Sequence, residues 1–419
     1  MPDDSLLGRS LELDVGAPAH GGACVARHEG RVVFVRHALP GERVRAVVTE
    51  DRGGSFCRAD AVEVLTASPD RVPQPCPYAG PGLCGGCDWQ HATGAAQREL
   101  KATVIREQFA RIAGLDLAGL FAGVEELPGG LLGWRTRIVF AVDRAGRPGL
   151  HRHRSNEIQH VDHCPLGVDG VGDTSALADN WRGYTGIEAA RGDDPDITLL
   201  GHRPGGGRQA RGRRPPDRVA VVAGPTRLRH HVLGHEFTVA ADGFWQVHPA
   251  AADVFARALL DAVRPAAGER VLDLYAGAGA LTAPLAEAVG PLGRVVGIES
   301  SAAAVADASG ALDDQPWAEV RRGPVEPALL AAIEPRPDVV VLDPPRAGAG
   351  REVMTAILDL RPRAVGYVSC DPGTLARDVA AAAQAGWRLT ALRAFDAFPM
   401  TQHVECVATL QPDEAADAP

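Results

Sequence analysis

Long apolar runs are missing from this chain. No stretch of eighteen consecutive apolar residues occurs, so no membrane-spanning helix is predicted. The first ten residues, MPDDSLLGRS, are acidic and poor in apolar side chains. No secretory signal is expected from them, and the cytoplasm is the expected compartment. Lysine is scarcely used, and arginine carries almost all of the basic charge. A disordered composition is absent as well, with 45% hydrophobic and 23% charged residues giving an ordinary globular balance. Acidic residues outnumber basic ones, for a net charge of −10. That balance weighs only weakly against a nucleic-acid partner, because phosphate contacts need just a local basic face. Two basic clusters occur. One runs from His202 to Arg229 and contains HRPGGGRQARGRRPPDR followed by RLR; the other holds Arg144, Arg147, Arg152 and Arg154. The first reads equally well as a solvated loop rich in Gly and Pro.

A disulfide framework is not expected from the eight cysteines, since the chain is long and its expected compartment is reducing. Clustered cysteines in such a chain point to metal binding or catalysis. The 419 residues suffice for roughly two to four domains of about 150 residues each. Short alternating segments from residue 10 to 65 (Leu11, Leu13 and Val15, then RVVFVRHAL, ERVRAVVTE and CRADAVEVL) predict strands of a small barrel. SPDRVPQP at residues 68–75 reads as a linker. A helix is predicted over Ala95 to Ala113, with Leu100, Val104, Phe109 and Ile112 on one stripe. GWRTRIVFAVD and RSNEIQHVDHC read as strands. From Phe237 onward, strands and helices alternate, which implies a largely parallel sheet with helices on both faces. The expected division is 1–68, 69–238, 239–413 and a tail at 414–419.

The segment DLYAGAGALT, Asp273 to Thr282, follows a strand and opens a helix. Gly277 and Gly279 permit close approach of a ligand to the backbone, although a glycine loop alone also serves tight packing. Glu299, at the end of the next strand, is the acid that binds ribose hydroxyls in such folds. The loop lacks both the full GxGxxG pattern and a GK(S/T) phosphate loop. A cofactor without phosphate fits, and S-adenosylmethionine is the expected one.

PDVVVLDPPRAG places Asp343 at the carboxyl end of a strand, where open α/β sheets bind ligands; the bland alternative is a simple Pro-Pro turn. RAVGYVSC ends at Cys370, and Asp371 and Pro372 then read as the N-cap and first residue of a helix. A thiol just outside a helix N-terminus is expected to have a lowered pKa. In HVECVATL, Glu405 is either an exposed edge carboxylate or a general base. A reactive thiol and a carboxylate suit methylation of uracil at carbon 5. The thiolate adds at carbon 6 and makes carbon 5 nucleophilic, and a base later removes the carbon 5 proton.

Five ordered motifs, FWQVHP, DLYAGAGALTAPLA, LDPPRAG, SCDPGTLARD and FPMTQHVECVATL, resemble those of the uridine-5-methyltransferases of transfer and ribosomal RNA. The resemblance covers nearly the whole chain. It implies an α/β fold: a Rossmann-like methyltransferase domain at the C-terminus, an N-terminal OB-like TRAM barrel that binds RNA, and a central α+β iron–sulfur region. It further implies Cys370 as nucleophile and Glu405 as proton acceptor. Gln246, Tyr275, Glu299 and Asp343 would contact S-adenosylmethionine, with Asp343 also close to the target base. Cys76, Cys84, Cys87 and Cys164 would hold a 4Fe-4S cluster, a four-thiolate zinc site being the alternative. Cys24, Cys57 and Cys406 are left as packing residues. The seven residues between Cys76 and Cys84 exceed the family's usual gap. His248, Ala276 and Ala280 also depart from the pattern, standing where members carry Asn, Cys and Asn. The expected partner is RNA, with no membrane, and the expected state is a monomer. An amino-group methylase is a poorer match, because its motif would follow the two prolines with an aromatic residue rather than Arg346. A non-catalytic RNA-binding protein would not need Cys370 and Glu405.

Overall fold

The computed structural model describes residues 5–206 and 216–413. The first five strands, Ser10–Asp14, Cys24–His28, Arg31–Arg36, Arg43–Glu50 and Phe56–Thr66, form one curled sheet. Leu11 and Leu13 point inward, while Ser10, Glu12 and Asp14 face solvent, as alternation predicts. Gly16 donates to the Val25 carbonyl at 2.7 Å, and Val25 donates to the Ala17 carbonyl at 2.8 Å, closing the barrel. The strand Cys24–His28 has no counterpart in the sequence expectation: its inward residues, Cys24 and Ala26, are small and give little hydrophobic signal.

A six-stranded antiparallel sheet follows, ordered Arg218–Ala223, Ile197–Arg203, Gly186–Arg191, Arg137–Val142, Pro148–His151 and Ile158–Gln159. The expected strand over RSNEIQHVDHC shrinks to Ile158–Gln159. The polar residues around it make loop contacts instead, such as Glu157 N to Ser155 Oγ.

The C-terminal sheet has eight strands. Five run parallel in the order Ala318–Arg322, Arg294–Glu299, Arg270–Leu274, Val339–Leu342 and Ala364–Ser369. Glu405–Pro412 then pairs antiparallel to Ala364–Ser369, and Trp387–Asp396 antiparallel to Glu405–Pro412. The order reverses at Arg270–Leu274, which opens a ligand crevice at the carboxyl ends of that strand and Val339–Leu342. Successive residues of Val339–Leu342 enter different cores. Val339 and Val341 join Phe255, Leu259 and Leu285 on one face; Val340 and Leu342 join Ile357, Leu375 and Val379 on the other. Both faces are therefore covered by helices, as expected. No helix among the described residues is long and apolar enough to cross a membrane.

The 69–238 stretch does not stand apart from this sheet. Val124–Glu126 pairs with Trp387–Asp396 as its last strand. The helix Gly94–Gln108, capped by Thr93 Oγ1 on Ala96 N at 3.3 Å, packs Ile105 into the same core. Beyond Gln108 the helix widens into a π-type turn, Phe109–Ala113. That change of pitch rotates Ile112 off the buried stripe on which it is expected, leaving it 38% exposed.

Lys101, the chain's single lysine, lies on the inner face of this helix. Its Nζ donates to Asp396 Oδ1 at 2.5 Å and to the Phe398 carbonyl at 3.1 Å. Burial pushes its pKa down and Asp396 pushes it back up. Removing one member of such a pair strands the other charge in the interior. Lys101→Met should therefore lower the unfolding free energy by about 3–5 kcal/mol in a urea titration. Arg43→Gln, whose partner Glu12 is exposed, should leave the midpoint nearly unchanged.

Candidate active site

The strand Arg270–Leu274 ends in Tyr275, which adopts a left-handed backbone (φ 62°), as do Gly277 (φ 55°) and Gly279 (φ 86°). A Cβ built on Gly277 would meet nothing within 4 Å, so open space lies directly over the backbone there. Glu299 Oε2 accepts from Gly277 N at 3.1 Å, and its Oε1 accepts from Ser301 N at 2.6 Å. The acid is thereby locked beside the glycine turn. Asp273 is fully buried; its Oδ2 accepts from Thr282 Oγ1 at 2.6 Å, and its Oδ1 has no partner among the described residues. Burial, against the Thr282 hydrogen bond, pushes the Asp273 pKa up to about 7. Ala276 is buried, and Ala280 packs against the core at the departures from the family pattern.

Asp343 follows the fully buried strand Val339–Leu342, and its pKa is likewise raised by burial to about 7. The loop after it is tied to the helix Pro372–Gln384. Asp378 Oδ2 accepts from Ala349 N, Gly350 N and Tyr367 Oη, and Thr374 Oγ1 donates to the Arg346 carbonyl. Cys370 lies one residue beyond the strand Ala364–Ser369. The pairing of Ser369 with Cys406 puts Cys370 opposite Glu405 on the adjoining strand. Glu405 is only 4% exposed, which overturns its reading as an exposed edge carboxylate. Six residues, His20, Lys101, Arg346, Cys370, Gln402 and His403, share the wall of one cavity of about 210 Å³.

Asp371 and Pro372 cap and open the helix as predicted, with Asp371 Oδ1 accepting from Gly373 N and Thr374 N, each at 2.9 Å. The surroundings of Cys370 run against the lowered thiol pKa expected for it. Burial pushes it up to about 11, Glu405 and Asp343 add to the rise, and Arg346 opposes it. The helix N-terminus does not help the thiol, because the Asp371 carboxylate occupies its free N–H groups. Glu405 is also held well above the usual carboxylate range, by burial and by Asp343, with Arg346 again opposing. Asp343 and Glu405 thus disfavour the thiolate, and Asp343 disfavours the Glu405 charge.

Cys76, Cys84, Cys87 and Cys164 line a second cavity, of about 60 Å³, beside Arg135. The long Cys76–Cys84 gap folds back on itself: Ala79 N donates to the Cys76 carbonyl, and Cys84 N to the Tyr78 carbonyl. Gly86 N and Gln90 Nε2 donate to the sulfurs of Cys84 and Cys87, at 3.4 and 3.1 Å. Burial raises all four thiol pKa values. Among the described residues, no three His, Cys, Asp or Glu side chains converge closely enough to hold a single metal ion. Cys24, Cys57 and Cys406 are buried in cores.

The loop between Asp396 and His403 lines the first cavity through Gln402 and His403, and its Met400 belongs to the apolar cluster against which Cys87 and Cys164 pack. Asp88 N and Trp89 N both donate to the Met400 carbonyl, at 2.9 and 3.0 Å. Asp88 Oδ2 accepts from Gln402 N, and Gln97 Oε1 from Met400 N. Trp134 packs edge-on against Phe398 and stacks on His248. His248 Nδ1 accepts from Ala250 N at the start of the next helix. Val247 in turn accepts from Thr136, which fixes the loop carrying half-buried Gln246. Lys101, Gln97, Asp88 and Arg346 went unassigned in the sequence reading. Arg346 was visible within LDPPRAG, and Lys101 stood out as a lone lysine; Gln97 and Asp88 gave no local signal. Of the basic clusters, Arg147, Arg152 and Arg154 pair with Asp143, Glu157 and Glu50. Arg208, Arg211, Arg213 and Arg214 lie outside the described residues.

Residues 335–412 match the family model described as tRNA (uracil-5-)-methyltransferase, and residues 4–62 match the TRAM domain. Residues 247–321 match a model for protein-L-isoaspartate(D-aspartate) O-methyltransferase. A protein of Streptomyces coelicolor named as an RNA methyltransferase is 45% identical, the match covering 97% of this chain and 94% of that one. The 23S rRNA (uracil(1939)-C(5))-methyltransferase RlmD of Alkalilimnicola ehrlichii is 33% identical, with 96% of each chain covered. The chain belongs to the S-adenosylmethionine-dependent RNA uracil-C5 methyltransferase family. The fold of this family member matches that of the tRNA (uracil-54, C5)-methyltransferase of Pyrococcus abyssi, solved with S-adenosyl-L-homocysteine. The TM-score is 0.69 at 20% identity, covering 96% of this chain and 100% of that one.

The electrostatics give a direct expectation. Without ligands, Cys370 should react slowly with iodoacetamide at pH 7.5. Its rate should climb about tenfold per pH unit as the thiolate fraction grows, levelling off near pH 11. Peptide mass spectrometry of the Cys370 peptide reads the rate, and a plateau already reached below pH 8 would contradict the raised pKa.

Proposed function

We propose that this chain methylates C5 of a uridine in ribosomal RNA through a covalent bond between Cys370 and C6 of the base. The observation that carries the reading is the strand register Ser369 to Cys406, which sets the thiol opposite the buried carboxyl of Glu405. Support for ribosomal RNA comes from the name of the 33% identical relative. The description of the model matching residues 335–412 favours transfer RNA as a second reading. The same proposal includes a cytoplasmic monomer.

S-adenosylmethionine supplies the methyl group and a sulfonium charge when bound. The open space over Gly277, the fixed Glu299 and the unpartnered Asp273 Oδ1 fit such a ligand. Glu299 would hold the ribose hydroxyls, Tyr275 and Gln246 would flank the ligand, and Asp343 would lie between ligand and base. Cys370 loses its proton to water at the cavity mouth, and its sulfur bonds to C6. The C5–C6 π pair shifts toward C5, which takes the methyl group as the methyl–sulfonium bond breaks and its electron pair stays on that sulfur, leaving S-adenosylhomocysteine as a neutral thioether. Glu405 then removes the C5 proton, the C6–sulfur bond breaks, and its electron pair returns to Cys370 as thiolate. Arg346 and the sulfonium charge offset the repulsion that Asp343 and Glu405 exert on the thiolate and that Asp343 exerts on Glu405, so that the thiol and the base can ionise with ligands in place.

The same reading gives Cys76, Cys84, Cys87 and Cys164 a 4Fe-4S cluster. Four thiols around a cavity, but not around one point, suit a cluster in which each sulfur has its own iron. Zinc would require all four sulfurs at about 2.3 Å from one ion. The N–H groups aimed at the sulfurs fit a cluster as well.

Incubation with 5-fluorouridine-containing 23S rRNA and S-adenosylmethionine should yield a covalent protein–RNA complex on a denaturing gel. Cys370→Ala should yield none. Glu405→Gln should form the adduct on ordinary RNA and release it at least about a hundredfold more slowly. Equal trapping by wild type and Cys370→Ala would remove the covalent mechanism. Protein purified without oxygen should contain iron and acid-labile sulfide in equal amounts, and Cys84→Ser should lose both; bound zinc without sulfide would replace the cluster by the zinc site.

A further inference from the structure

We propose that His20, a residue of the N-terminal barrel, is a positioning residue for the nucleophile and acts through Asp371. The inference rests on the reading of Cys370 as nucleophile and adds to it a role for the barrel beyond holding RNA.

Asp371 directly follows Cys370, and both of its carboxylate oxygens are engaged. Oδ1 takes the two helix N–H groups, Gly373 N and Thr374 N. Oδ2 lies 3.2 Å from His20 Nε2. On the other side of Cys370, Ser369 Oγ bonds both the N–H and the carbonyl of Asp371. The thiol therefore sits in a backbone clamp whose outer arm is closed by a residue about 350 positions earlier in the chain.

The turn that carries His20 is firmly seated, while the imidazole itself is 41% exposed. Its turn is closed by Gly22 N on the Ala19 carbonyl and Ala19 N on the Ala23 carbonyl. Trp89 Nε1 donates to the Gly22 carbonyl at 3.1 Å. A Cβ on Gly22, whose φ is 85°, would lie 2.8 Å from Asp88 Cγ, so the turn is pressed against that side chain. Asp88 and Trp89 are the residues that also hold the Met400 carbonyl and thus the loop leading to Glu405. One docking segment consequently sets His20 beside Asp371, the neighbour of the nucleophile, and holds the loop that leads to Glu405.

The charges agree with this geometry. Asp371 raises the pKa of His20, burial and Arg111 oppose that, and Glu107 adds to it. Burial works against the Asp371 charge, yet His20 and the helix N–H groups hold its pKa down to about 2. Lys101, Arg346 and His403 face the same cavity, and burial keeps His403 neutral down to about pH 4. The Asp371 charge, one residue from the sulfur, opposes thiolate formation. Protonated His20 cancels that charge while holding the carboxylate in place.

The test is single-turnover methylation of 23S rRNA by the full chain, together with the pH profile of adduct formation on 5-fluorouridine RNA. His20→Ala should lower the rate constant at least fivefold with the RNA KM changed less than twofold. It should also move the ascending limb of the pH profile upward. Asp371→Asn keeps a capping side chain but removes the charge. In that background His20→Ala should have no further effect, a non-additivity that two independent losses of stability would not produce. His20→Gln provides a second variant should His20→Ala fold poorly, and should show the pH shift with a smaller loss of rate. The proposal is overturned if His20→Ala keeps the wild-type rate and profile, if it raises KM alone as a plain RNA contact would, or if the two substitutions add. Cys370→Ala, run alongside, separates the questions: methylation surviving that change defeats the nucleophile reading whatever His20 does.

Discussion

The loop between Asp396 and His403 is held by two neighbouring parts of the chain that lie far from it in sequence. Lys101 and Gln97 grip it from a helix that precedes it by about three hundred residues. Asp88 and Trp89 grip its Met400 carbonyl from the cysteine-bearing segment. Met400 itself has a left-handed backbone (φ 68°), which a non-glycine residue keeps only where its surroundings insist. Glu405 follows five residues later, so these bonds fix the approach to the strand whose pairing places the carboxyl. A lysine can fill this buried role because its compact ammonium bonds one carboxylate oxygen and one carbonyl at once.

The acid-rich wall around Cys370 has a second effect. Cys370, Asp343 and Glu405 are each displaced toward their neutral forms, so the resting site carries less charge than its composition suggests. A cationic methyl donor and a neutral base can enter such a site without facing a set of fixed anions. Under the proposed mechanism, ionisation is tied to occupancy, so that no reactive thiolate persists in the empty protein.

Much of this was legible in the sequence. The C-terminal strands and helices announced themselves by period-two and period-3.6 patterns, and Cys370–Asp371–Pro372 spelled out a strand end, a cap and a helix start. What the sequence hid was non-local. Nothing near His20 hints at Asp371, and nothing near Gln97 hints at Met400, because those bonds are set by how separate sheets dock. The thiol pKa was misjudged for a related reason: the local motif shows a helix N-terminus, but not that the Asp371 carboxylate takes its N–H groups while Glu405 arrives from the next strand. Ile112 was misplaced because a single wide turn changes the phase of an otherwise regular stripe.

The strand Val124–Glu126 has a practical bearing on how this chain comes into being. It completes the sheet at the edge formed by Trp387–Asp396, and Glu125 meets Arg393 across 268 positions. A nascent chain therefore carries its closing strand long before the edge it closes has been made. A fragment beginning at residue 239 would present that edge bare, as a template for pairing with other copies. The methyltransferase half is thus not a cassette to be cut out and moved. Its outermost strand is lent by the part of the chain that, in sequence order, belongs to something else.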